Sequence, residues 1–200
     1  MPAVSAPFGL ELVEYAVGTS PTTQIVWYPL GADNTTGIFH GDPVSINSGV
    51  VTALAATPTP TRTSNTPWGI CCGVQYTDPN LGLVEAQYLP ASAITGRSFT
   101  NVSIGVWTSP GSVFRVQADG SVATTAVGKN APLGNFGAGS TTTGKSKVQL
   151  LSGSIAITAT LAVKIVGFDP NVGNAAGDAF TNVYVTWNAG VHALANATGA

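Results

Sequence analysis

At 200 residues and a net charge of −2, the chain is long enough to bury its own core but carries little charge for electrostatic work. Charged residues make up 8 % of it, against about a quarter in an ordinary soluble domain. Seven basic residues scattered from Arg62 to Lys164 form no patch able to neutralise phosphates, which excludes a nucleic-acid surface, and 44 % hydrophobic content excludes a disordered chain.

The opening, "MPAVSAPFGL", has no basic region followed by a long apolar one, so no secretory signal is expected. Period-2 and β-branched runs then follow in close succession. They predict strands at 10–15, 24–29, 43–46, 50–54, 69–76, 83–88, 102–107, 113–117, 121–127, 147–151, 155–168 and 182–187. Stretches rich in Gly, Pro, Thr and Asn separate them, the longest at 57–69, 128–144 and 169–180. The Thr-Pro repeats of 57–66 predict an extended surface loop. Asp119-Gly120 lies between two alternating runs, the strongest local signal for a type I′ hairpin over 113–127. No helical period exceeds two turns. The expected fold is all-β, an antiparallel β-sandwich or partly open β-barrel with long Gly/Thr/Pro-rich loops and little helix, in one domain over 1–200. The most apolar run, 155–168, contains Thr158, Thr160 and Lys164 and is too short to span a membrane as a helix.

One stretch matches a catalytic signature. Gly139 to Ser146 reads "GSTTTGKS", and Gly139, Gly144, Lys145 and Ser146 fit a phosphate-binding P-loop at every fixed position. A P-loop follows a buried parallel strand and opens a helix. Here "LGNFGAG" precedes the motif and the β-branched "KSKVQLLSGSIAITAT" follows it. The motif is therefore expected to be a decoy, a flexible Gly/Thr loop that binds no nucleotide cofactor.

The remaining chemistry is sparse. All six Asp adjoin turn residues, where a carboxylate bonding backbone two residues on explains them without catalysis. Glu11, Glu14 and Glu85 fall on strands, on solvent or subunit faces. His40 and His192 have no metal-ligand spacing, there is no G-x-S-x-G elbow, and "DPNVGNAAGD" (169–178) is a poor calcium loop, so neither a catalytic set nor a metal is expected. Cys71 and Cys72 read as two buried thiols, with a redox pair as the alternative. Trp27, Trp68, Trp107 and Trp187 suit core or subunit contacts, with a sugar platform as the alternative. The Asn34, Asn101 and Asn196 sequons are incidental without a secretory signal.

The blocks "SAPFGLELVEY" (5–15), "GIFHGDPV" (37–44), "GICCGVQYTD" (69–78), "VFRVQADGS" (113–121) and "VGFDPNVGNAAGDAFTNVYV" (166–185), in that order, resemble the head decoration, or capsid cement, proteins of tailed bacteriophages. The resemblance implies a non-enzymatic virion protein, made in the host cytoplasm and bound to the outside of the head. Its partners would be the major capsid protein at capsomer junctions and itself, as a homotrimer, with no nucleic acid or membrane partner. It also implies an extended N-terminal arm, 1–9. On that basis Pro2, Pro7 and Phe8, with Trp68, are the expected capsid or subunit contacts. The rival from the residues themselves is a carbohydrate-binding β-sandwich displayed on a virion or cell surface.

Overall fold

The computed structural model describes residues 4–14, 25–54, 67–89 and 99–188. Pro2, the 57–66 loop, His192 and the Asn196 sequon lie outside them. The chain is all-β, as expected, and its strands pair antiparallel in several sheets, none closed into a barrel. Helix among the described residues amounts to the 3-10 turns Thr124–Ala126 and Ser152–Ser154.

A five-stranded sheet runs β1 (Glu11–Glu14), β10 (Val113–Gln117), β15 (Asn182–Trp187), β14 (Val163–Phe168) and β11 (Asn130–Ala131). Alternation places Phe114, Val116, Val163, Ile165, Val183 and Val185 on one face, where they are buried. The six-stranded sheet runs β2 (Ile25–Pro29), β9 (Thr100–Trp107), β6 (Pro67–Asp78), β4 (Pro43–Asn47) and β5 (Val50–Ala53), and β7 (Gly82–Ala86) pairs with the far end of β6. Its core holds Val44, Val51, Cys71, Val74, Ile104 and Val106. Among the described residues two short ladders lie beside these sheets: β3 (Ile38–Phe39) with β8 (Tyr88–Leu89), and β12 (Leu133–Gly134) with β13 (Gln149–Leu150).

Cys71 and Val74 are both buried although they stand three apart, which strict alternation forbids. The pairs Cys71–Val106 and Gly73–Gly105 leave Cys72 as an extra residue. This bulge resets the face of β6, so Cys71 enters the core while Cys72 stays half-buried beyond it.

Three expectations require correction. Asp119-Gly120 makes no hairpin: neither residue has the positive φ a type I′ turn demands, and β10 pairs with β1 and β15. Asp119 instead accepts from the backbone N–H and hydroxyl of Ser152 at 2.8 and 2.7 Å, which carries the chain away from a return strand. Residues 121–127 accordingly contain a 3-10 turn rather than a strand. The run 155–168 is a strand only from Val163. Its first half bridges Ala156 to Asn130, its second pairs Lys164 with the same residue, and the chain between folds round β11.

Candidate functional site

Polar side chains gather along the seam where the two sheets meet. Backbone bonds stitch it first: Leu10 N–H donates to Gly41 O at 3.0 Å, Gly41 N–H to Cys71 O at 2.8 Å, and Cys71 N–H to Asp42 O at 2.8 Å. Gly41 adopts φ +89°, and an added Cβ would stand 3.1 Å from Leu10 O, so glycine is what allows this close approach.

Into the seam projects the stretch that resembles a P-loop. Gly139 and Ser146 form an antiparallel bridge, Ser140 N–H donates to Lys145 O at 2.9 Å, and Gly144 N–H donates to Ser140 O at 2.7 Å. The turn is then fixed to its neighbours, with His40 N–H donating to Gly144 O at 3.0 Å and Ser146 N–H to His40 O at 2.9 Å. A phosphate cradle needs those N–H groups free; here they are engaged within the protein. Lys145 Nζ lies 3.6 Å from Glu11 Oε1, and the wholly buried Ser146 hydroxyl donates to Asp42 Oδ1. Gly139 lies against the Phe39 ring, where a Cβ would come within 2.1 Å of it. These bonds anchor the loop to the rest of the protein, and of its residues only Thr141–Thr143 and Lys145 stand exposed.

Asp42 is the buried centre of this arrangement. Its Oδ2 accepts from Phe39 N–H at 2.8 Å, while Val148 N–H donates to Ser146 Oγ at 3.0 Å. Burial pushes the Asp42 carboxyl up to about 7, against the pull of the Ser146 and Phe39 hydrogen bonds. The nearby His40 ring faces Cys72 O through Nδ1 at 3.1 Å and meets Trp107 edge-on. Serine, histidine and aspartate are thus close, yet the serine is sealed from solvent and bonded to the carboxylate, so it offers no nucleophile to a substrate.

Beside this node, Arg115 on β10 bridges Glu11 and the buried Asp169, the latter at 3.2 Å. Burial tends to raise both carboxyls, but Arg115 with Lys145 at Glu11, and Asn171 with Arg115 at Asp169, hold them below their ordinary values. Asp169 also accepts from its own turn, from Asn171 N–H at 3.3 Å. The turn reading of the aspartates holds for Asp78, which accepts from Asn80 and Leu81 N–H. It misses the remote partners of Asp42, Asp119 and Asp169, each of which pins a segment distant in sequence. Glu11 belongs to this network rather than to a free surface.

The expected contact residues fall in different settings. Phe8 is half-buried, its ring centroid 4.9 Å from the Arg115 guanidinium, and Pro7 beside it is half-buried. The described part of the arm follows β10 of its own chain: Ala6 N–H donates to Gln117 Oε1 at 2.8 Å and Gln117 Nε2 to Val4 O at 3.2 Å. Trp68 meets Tyr28 edge-on and packs on the six-stranded sheet's core. Trp27, which the sequence did not single out from the others, has the most open indole of the four, 43 % exposed.

Among the described residues, no three His, Cys, Asp or Glu side chains gather as a metal site, and no helix is long and apolar enough to cross a membrane. Cys71 and Cys72 are both free thiols, Cys71 buried and Cys72 half-buried; burial raises both, Cys72 to about 11. Comparison with known proteins finds no matching family model, no matching curated protein and no matching solved structure.

Proposed function

We propose that the protein is a structural, non-catalytic component of a tailed-bacteriophage virion: a decoration protein that binds the outside of the head at capsomer junctions and stabilises the capsid. The observation that supports this reading is where the five blocks resembling decoration proteins meet. Glu11, Asp42, Cys71, Arg115 and Asp169 come one from each block, and all lie on one run of hydrogen bonds and ion pairs. Arg115 ties Glu11 to Asp169 within the five-stranded sheet, and the Leu10–Gly41 bond and the Lys145–Ser146 turn carry the run across to Asp42 and Cys71 of the other sheet. What the blocks share is therefore the bracing of the fold, within the five-stranded sheet and from it to the other, which suits a protein whose task is to keep its shape under load.

The surface agrees with that task. Leu81, Leu83, Ile157 and Val172 stand well exposed. With few charges to repel a neighbour, such small apolar points suit many modest contacts multiplied over a lattice. The major capsid protein and two further copies of the chain are the partners in this reading. Pro7, Phe8 and Trp68, with Pro2 outside the described residues, remain its candidate contacts.

A virion reconstruction tests the function directly. Density for the chain at three-fold junctions on the outer head is the expected result, and a location only in the tail would overturn the reading. Light scattering of the purified chain should give the mass of three copies, and a strict monomer in solution and on the head would remove the trimer.

A further inference from the structure

The outer face of the six-stranded sheet carries a row of residues unlike its surroundings. Trp27 on β2 pairs with Gly105 on β9, and Gly105 pairs with Gly73 on β6. One step beyond the Val74–Ala86 pair of β6 and β7 comes the exposed Gln87. Two glycines thus occupy the middle of a row walled by an indole on one side and an amide on the other.

Each glycine has a separate geometric consequence. A Cβ at Gly105 would meet Trp27 Cη2 at 3.3 Å and Cys72 Sγ at 3.2 Å, so its absence lets the far edge of the indole reach over the strand. A Cβ at Gly73 would meet only Ala86 O, at 3.5 Å, leaving open space above it. The result is an open trough of about 360 Å³, lined also by Glu85, whose Oε1 accepts from Gln75 Nε2 at 3.2 Å.

The chemistry of the lining narrows what could fill it. Among the described residues, no Lys or Arg borders the trough, and its one charged side chain, Glu85, repels an anionic ligand. It is too open to bury a lipid chain or a drug-like aromatic, which need an enclosed apolar cavity. A pyranose ring presents an apolar C–H face and a rim of hydroxyls. The first suits a half-exposed indole, and the second suits a carboxylate that only accepts and an amide that does both.

We propose that this trough binds a neutral pyranose residue of a glycan, with Trp27 as its platform, Gly73 as its floor, and Glu85 and Gln87 as its hydroxyl partners. The site does not depend on the capsid reading, since it uses none of the seam residues. Weak binding at one trough would be multiplied by the number of copies displayed together.

The test applies the full chain to an array of neutral, sialylated and sulfated glycans, followed by titration with free maltose, lactose and chitobiose. Retention by neutral glycans is expected, with Trp27→Ala and Gly73→Val each lowering affinity at least tenfold and Glu85→Gln lowering it several-fold. The remote Val172→Ser should bind as wild type. Thermal melts establish that each variant folds, and Gly73→Val, which fills the floor without removing a contact, decides the matter if Trp27→Ala does not fold. Failure to bind any neutral glycan, or a preference for the acidic ones, would overturn the proposal. So would unchanged binding in both Trp27→Ala and Gly73→Val. Retention of a lysine-rich peptide in place of sugars, lost in Glu85→Gln, would also overturn it, because an indole beside a carboxylate would then be a cation site.

Discussion

Gly69 and Gly73 stand four residues apart on the same strand, one against the packed interior and the other beneath an open trough. At Gly69 a Cβ would come within 2.1 Å of Trp107 O and 2.6 Å of Val106 Cγ1; at Gly73 it meets only Ala86 O, at an ordinary contact distance. The same contrast separates the seam from the outer face. Asp42, Ser146, Glu11, Arg115 and Asp169 direct their polar atoms at one another, whereas Trp27, Glu85 and Gln87 stand open to solvent. Polar chemistry turned inward holds the sheets together; polar chemistry turned outward is available to a ligand.

The largest effect expected from breaking this contrast is Gly69→Val, which must displace backbone and should cost on the order of 4 kcal/mol or more. Gly73→Val should change stability by no more than about 1 kcal/mol, since valine suits a strand and the space is open. Chemical denaturation of the pair measures both, and equal losses would erase the distinction.

Acidity offers the next test. The folded Asp42 carboxyl sits at about 7 against 3.8 for the free side chain. Between those values the folded protein holds a proton that the unfolded chain has released, so stability is greatest at the acidic end and falls as pH rises towards 7. The full span is up to roughly 4 kcal/mol. Glu11 and Asp169 are shifted the other way, so below about pH 4 their protonation removes stability again. Melting temperature against pH should therefore peak in the acidic range, and Asp42→Asn should flatten the decline towards neutrality. An unchanged slope in that variant would assign the decline elsewhere.

Ser146→Ala should cost about 2 kcal/mol in the same denaturation assay, because Val148 N–H loses its acceptor and the buried Asp42 loses a donor. Smallest of all should be Lys145→Ala, at about 0.5 kcal/mol, since that side chain is exposed and, among the described residues, pairs with Glu11 alone. Titration with ATP should show no binding in either wild type or Lys145→Ala. ATP binding lost with Lys145 would make the P-loop match functional after all.

Much of the architecture is legible without coordinates because valine, isoleucine and the aromatics alternate wherever one face of a strand is buried. The runs 113–117 and 182–187 show this directly. Local signals fail where a distant segment offers a better partner. Asp119 gives its carboxylate to Ser152 rather than to a turn, and Ala156 and Lys164 bridge opposite sides of Asn130, bending a run that reads as one strand. The bulge at Cys72 leaves no trace in the period, because the extra residue is visible only against β9. Among four tryptophans in strands, nothing local distinguishes Trp27, whose indole stays open, from Trp68, which packs on a core.

The sequence by itself determined an all-β chain, the positions of most long strands, and the poor context of its one nucleotide-like motif. These follow from side-chain period and turn chemistry within a few residues. Only the tertiary structure decided that Asp42 and Ser146, 104 positions apart, share a buried hydrogen bond, and that Gly73 and Gly105 lie side by side beneath an open indole. Such pairings arise from strand order and register, which bring together residues whose neighbours in the chain carry no sign of each other.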